Sequence, residues 1–333
     1  MNKLAYVEDI ARHVSDLNHK VKIFDVWTEL KRASNDIRKP IDKSKVLNAA
    51  NLDELRAIAL ERIRFAIETD PDSKETDYFI VTHACFRWNK YLRKGMDSHY
   101  VRILNPEIYV CIIDDIINIQ QNLDNDEQWK TRRFDIEELA TWQDEEIFLT
   151  RFMADYDNKP VYLIAKREPP KSISRLFLKT EKPRKAYLSY PITAIKKEKP
   201  QILATVEALA DELRNKIVVF NPLSIKDLEY DYEGIDAEAK KCLREATVQR
   251  DFLLIDQSDM IIVFFPVQTN SPGVNSEIAY GYSHNKEVYL YYPYRTSPFW
   301  DERIAITKQF TKFEDFCKFF EIKLELEGVK EDE

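Results

Sequence analysis

Glycine is so scarce in this chain that it limits what the backbone can do. Only five occur in 333 residues, at positions 95, 234, 273, 281 and 328, against an ordinary frequency of about 7%. A Walker A loop or a dinucleotide fingerprint needs clustered glycines so that backbone N–H groups can close on phosphate. Neither motif is present. The length is about twice that of an ordinary ~150-residue domain, so two domains are expected. An excess of 58 acidic over 50 basic side chains, a net charge of −8, argues against a nucleic-acid-binding surface. The four cysteines are far apart and only five histidines accompany them. This suggests neither a zinc site nor a disulfide framework, and no metal or cofactor is expected. The opening MNKLAYVEDI has no basic region before an apolar run, and no stretch approaches ~18 apolar residues. The expectation is therefore a cytoplasmic protein that does not span a membrane.

Apolar spacing divides the chain into alternating helices and strands. Leu4, Val7, Ile10, Ala11, Val14 and Leu17 follow a helical period, with the β-rich KVKIFDVW directly after. Asn51 and Glu54 fit a capping box ahead of LDELRAIALERIRFAIE, and Thr311 with Glu314 fit a second one ahead of KFEDFCKFF. Buried-type strands are expected at 78–81, 108–113 and 161–165, with a long helix over about 136–154. The second half repeats the alternation: AYLSY, PQILATVEALADELR, KIVVFNP, AEAKKCLREATVQRDFLLI, MIIVFF, SEIAYGYSHN, EVYLYYP. Strands separated by helices imply parallel sheets covered on both faces, an α/β class with two domains. The domains are expected at 1–166 and 185–326, joined by a Pro/Lys/Arg-rich linker at 167–184 and followed by a tail at 327–333.

Three short stretches of the first half carry a resemblance. Tyr78-Phe79-Ile80-Val81-Thr82-His83-Ala84, Leu104-Asn105-Pro106-Glu107 and Thr131-Arg132-Arg133-Phe134-Asp135 resemble segments of the archaeal-type adenylate kinases among the P-loop nucleoside monophosphate kinases. The resemblance implies that Arg132 and Arg133 bind phosphate through their guanidinium forks. As solvated charges ahead of an acidic helix they would have no such role. The initial strand and phosphate loop are missing, and Lys3 stands roughly where the loop lysine would. Without that cradle, phosphoryl transfer loses most of its charge stabilisation. A degenerate nucleotide-binding or oligomerisation domain is the expectation.

In the second half, residues 250–293 combine an acid-bearing helix, a strongly apolar strand and a loop leading to Ser276-Glu277. Ligands of open α/β sheets bind at the carboxyl ends of strands, and the loop after MIIVFF is such a place. With a helix opening at Ser276, Glu277 falls in its first turn, where the dipole favours an ionised carboxylate. The stretch from about Lys185 to Phe320 resembles the nucleoside 2-deoxyribosyltransferase superfamily, which includes nucleotide N-glycosidases. On that resemblance Glu277 is the catalytic carboxylate, Asp251 an acid or sugar-hydroxyl ligand, and Tyr187 the strand tyrosine that orients Glu277 or the sugar. Gly273, Asn275 and Ser276 form the loop at the substrate. Ser271 stands where transferases have a base-contacting aspartate and monophosphate hydrolases a phosphate-side serine.

The first-strand loop Ser189-Tyr190-Pro191-Ile192-Thr193 lacks the family's glycines and arginine, so Lys196 and Lys197 are the substitutes for phosphate binding, or else a solvated face. Asp256 and Asp259 are alternative acids, Asp259 also being suited to capping a strand turn. Cleavage of an N-glycosidic bond builds oxocarbenium character at C1′, which a carboxylate stabilises or captures. The expected function is hydrolysis of the base–sugar bond of a nucleoside or nucleotide, a 5′-monophosphate foremost. Deoxyribosyl transfer, NAD cleavage and non-catalytic nucleotide sensing are the alternatives. The expected partners are that small molecule and, as in the resembled family, further copies of the chain.

Overall fold

A computed structural model describes residues 3–88, 91–178, 182–225, 236–295, 298–300 and 305–325. The fold is mixed α/β, with parallel strands flanked by helices in each of two compact units. Met1–Ser174 and Ile225–Thr247 form the first unit, Arg175–Ser224 and Val248–Glu333 the second. The division falls inside the stretch expected to be a linker, part of which is helical. Residues 225–247, expected in the second domain, group with the first because Leu243 is buried in its core and Cys242 packs against it. The expected tail at 327–333 lies outside the described residues.

The first unit runs α1 (Lys3–Asp16), β1 (Lys20–Asp25), α2 (Val26–Asp36), α3 (Leu52–Glu68), β2 (Thr76–Val81), β3 (Cys85–Trp88), β4 (Tyr91–Lys94), α4 (Ser98–Leu104), β5 (Tyr109–Ile113), α5 (Ile116–Asn125), α6 (Ile136–Asp157), β6 (Val161–Ala165) and α7 (Pro170–Ile173). β1 pairs with β2 and β5 with β6, both parallel, while β3 and β4 form an antiparallel hairpin. The expected strand KVKIFDVW stops at Asp25 because that carboxylate accepts from Thr28 N at 3.1 Å and caps α2. Leu55, Ala59 and Ile63 on one face of α3 are fully buried. Trp129 anchors an aromatic cluster, with its ring centroid 5.3 Å from that of Trp88 and 5.2 Å from that of Trp142.

Neither expected capping box forms. Asn51 precedes α3 with φ −102° and ψ 21°, outside the extended region a cap needs, and makes no side-chain cap bond. The last helix starts after Lys312, which leaves Thr311 outside it. A complete box caps α6 instead: Asp135 accepts from Glu138 N at 2.7 Å, and the Glu138 carboxylate accepts from Asp135 N at 3.3 Å. Asp135→Ala is expected to cost about 1 kcal/mol, read as a lower midpoint in urea at unchanged slope.

The second unit runs β7 (Lys185–Ser189), α8 (Ile192–Glu198), α9 (Ile202–Arg214), β8 (Val218–Phe220), α10 (Ala237–Asp256), β9 (Met260–Phe264), α11 (Pro272–Ser283), β10 (Glu287–Tyr291), β11 (Lys308–Phe310) and α12 (Phe313–Phe320). The first part of α10 belongs to the first unit. All five strands are parallel, in the order β11-β10-β9-β7-β8. β9 is buried along its whole length, as expected of an apolar strand covered on both faces. Gly281 lets α11 press on β9, since a Cβ there would come within 2.3 Å of Ile261 Cδ1. No described helix is long and apolar enough to cross a membrane.

Candidate active site at the β7–β9 switch point

From β7 the chain crosses to β8 on one side, whereas β9, β10 and β11 follow on the other. This reversal falls at the carboxyl ends of β7 and β9, the usual ligand position in such sheets. Tyr187 and Ser189 are two residues apart on β7, so their side chains share a face, and both are buried. Their hydroxyls meet one carboxyl group. Tyr187 donates to Glu277 Oε1 at 2.9 Å, and Ser189 bonds Glu277 Oε2.

The helix carrying Glu277 starts earlier than expected. Ser271 takes the extended N-cap conformation and Pro272 the first helical position, where its fixed φ and missing N–H are tolerated. Gly273, Asn275 and Ser276 are therefore helical, and Glu277 sits in the second turn. It gains little from the dipole, which fades beyond the first turn. Glu277 as a residue is half-buried, but its carboxyl end faces the buried hydroxyls. Burial and then the charge of Asp251 push its pKa up to about 8, against the smaller opposing effect of the two hydroxyl bonds. The expectation of an ionised carboxylate is thus opposed: burial beside Asp251 favours a proton on the Glu277–Asp251 pair. Burial, together with the charges of Asp251 and Glu277, also raises the Tyr187 phenol well above its ordinary value.

Because Tyr187 donates to the ionised form, Tyr187→Phe should move the Glu277 ionisation upward from about 8. The check is the inflection of a pH–rate profile, or of the Glu277 carboxyl carbon shift in NMR. An unmoved inflection would separate the phenol from the carboxyl.

The remaining sequence candidates fall in different places. Asp251, on α10, has its Oδ1 3.7 Å from Arg250 Nε and lies within electrostatic reach of Glu277. Asp256 does not reach the site, because it precedes β9, at the amino ends of the strands. There it accepts from Tyr280 Oη at 2.8 Å, and its backbone carbonyl accepts from Lys286 Nζ. Asp259 is at the same end and holds the start of β7, accepting from Lys185 N at 2.8 Å and Nζ at 3.0 Å. Ser271 is half-buried and makes no side-chain cap bond. Lys196 and Lys197 occupy the last turn of α8, where positive charge complements the carbonyl end. In the first unit, Arg132 Cζ sits over the Trp88 ring, 3.7 Å from its centroid, while Arg133 is exposed. Lys3 donates to the Thr82 carbonyl, and His83 Nδ1 is 2.7 Å from Glu146 Oε1.

Two parts of the site escape the motif-based reading. Ser189 is one, although alternation from Tyr187 points to it. The other is a cavity of about 400 Å³ lined in part by Gln268, Asn270, Asn275, Tyr292 and Trp300. The chain matches no protein-family model and no curated protein sequence.

Proposed function

We propose that the second unit hydrolyses the N-glycosidic bond of a nucleotide, in the cytoplasm and as a homo-oligomer. The observation that carries this reading is the Glu277 carboxyl, held by Tyr187 and Ser189 beside Asp251 at the switch point of the sheet. Two coupled carboxyls that share a proton at neutral pH can supply both an acid and a nucleophile. The proton passes to a ring nitrogen of the leaving base, and the C1′–N bonding electrons stay with that base. Ionised Glu277 then takes C1′ as a glycosyl ester. Water attacks C1′, the ester electrons return to Glu277, and the water's proton restores the pair. Base, sugar phosphate and enzyme emerge in balance.

The test is incubation with a panel of nucleosides and nucleotides, followed by chromatography for free base. Base release without transfer to added adenine or cytosine supports hydrolysis. A new nucleoside as the main product would assign transfer to the same carboxyl. For purine and pyrimidine nucleotides the rate is expected to fall as pH rises through about 8, where the pair loses its proton.

A further inference from the structure

The cavity and the Glu277 carboxyl lie on opposite flanks of one helix end. Residues 275 and 277 of α11 are separated by about 200° around the axis at 3.6 residues per turn. Glu277 accordingly turns to Tyr187 and Ser189 on β7, and Asn275 lines the cavity with Tyr292, which follows β10. β9 runs between β7 and β10, so the two places are about two strand spacings, roughly 10 Å, apart. A leaving base is bonded directly to C1′ and must lie on the Glu277 flank. Whatever fills the cavity is a second group.

The lining indicates what that group is. Tyr292 and Trp300 supply aromatic surface, their rings 5.3 Å apart and nearly perpendicular at 86°. Gln268, Asn270 and Asn275 supply carboxamides, each of which presents a donor beside an acceptor and matches the edge of an amino-substituted base. Asn275 Nδ2 donates to Asn270 Oδ1 at 3.3 Å, while Asn275 Oδ1 is buried without a protein hydrogen bond. Arg295 adds a positive charge, and none of the described lining residues is a carboxylate. Between the two places lies the start of α11. Among the described residues, apart from its chain neighbours and its own helix backbone, nothing lies within 4 Å of the position a Cβ would take on Gly273, and Ser271 makes no side-chain cap bond to the amides of the first turn, so phosphate can approach the backbone closely.

We propose that the substrate is a dinucleotide, two nucleosides joined through a diphosphate, with one base leaving at Glu277 and the other held in the cavity between the ends of β9 and β10. This rests on the glycosidase reading and narrows its substrate. Where the scissile base is a pyridinium, the C1′–N electrons neutralise the ring and the base leaves without taking a proton. Glu277 then only has to be ionised.

The test uses the full-length Glu277→Gln chain, which holds substrate without turning it over, with NAD⁺, nicotinamide mononucleotide and AMP as probes. By titration calorimetry, NAD⁺ should bind at least tenfold tighter than either half, and AMP should be displaced by NAD⁺. Trp300 is the one tryptophan of the second unit. AMP should quench its emission, and Trp300→Phe should abolish that quench. In the same background, Asn275→Leu should weaken NAD⁺ at least tenfold and leave the mononucleotide's affinity unchanged. NAD⁺ binding no tighter than the mononucleotide, or AMP binding that NAD⁺ does not displace, overturns the proposal without needing any cavity variant. Base release by the wild-type chain with no such pattern removes the dinucleotide and keeps the glycosidase. The binding pattern without base release from any substrate does the reverse.

Discussion

Glu277→Gln is expected to lower base release at least about a thousandfold and, at the same time, to make the protein more stable in mild alkali. Both effects come from one carboxyl. A glutamine amide has nearly the same shape as the protonated acid, accepting from Tyr187 on one side and donating to Ser189 on the other, but it cannot become a nucleophile. In the unfolded chain a glutamate loses its proton near the ordinary 4.5, whereas the folded site holds it to about 8. Between those values unfolding releases a proton, so rising pH favours the unfolded chain, and above about 8 the penalty is complete. Glutamine carries no such penalty. The variant's melting temperature should exceed the wild type's on the order of 5 °C at pH 8–9 and converge with it near pH 4.5. More than a tenth of the wild-type rate remaining would move catalysis elsewhere. Equal melting curves at pH 9 would mean that the carboxyl is not buried against Asp251.

Gly95→Ala should have the largest purely structural effect. Gly95 donates its N–H to Ala84 O at 2.8 Å, and a Cβ there would stand 2.3 Å from His83 O and 2.7 Å from His83 C. Both obstacles are backbone, and neither can rotate away. The strand-end turn must open, at about 3 kcal/mol, read as a melting temperature lower by roughly 6–12 °C. Gly273→Ala is the matched control: its Cβ meets no described residue beyond its own helix, and alanine suits a helix better than glycine by up to about 1 kcal/mol. If both variants melted alike, the contact at His83 would not be a tight one.

Periodicity made most of the fold legible, because burial along a strand or helix face is local. The run MIIVFF is a fully buried β9 for the reason its composition suggests. Termini were harder. Asn51 and Glu54 have the residue types of a capping box, yet the backbone at Asn51 turns the side chain away. Pro272 is a better helix opener than the motif ending in Ser276-Glu277 made apparent, which shifted Glu277 into the second turn. At the site, the meeting of Tyr187 with Glu277 was expected only through the family resemblance, not from spacing or composition. The proton on the Glu277–Asp251 pair was not expected, since it depends on burial and on Asp251, a residue brought close only by tertiary packing. The cavity lining joins the segments after β9 and β10 to Asn275 on α11, and such a combination carries no periodic signal.

The division of α10 bears on biosynthesis. Leu243 is 3% exposed within the core of the first unit, yet it is translated after Arg175–Ser224, which belongs to the second. At about 5–20 residues per second, the ribosome emits the earlier part of the first unit several seconds before the segment that completes its core. A nascent chain arrested before Thr247 would carry an unfilled apolar slot, and that is the stage at which a chaperone has something to hold.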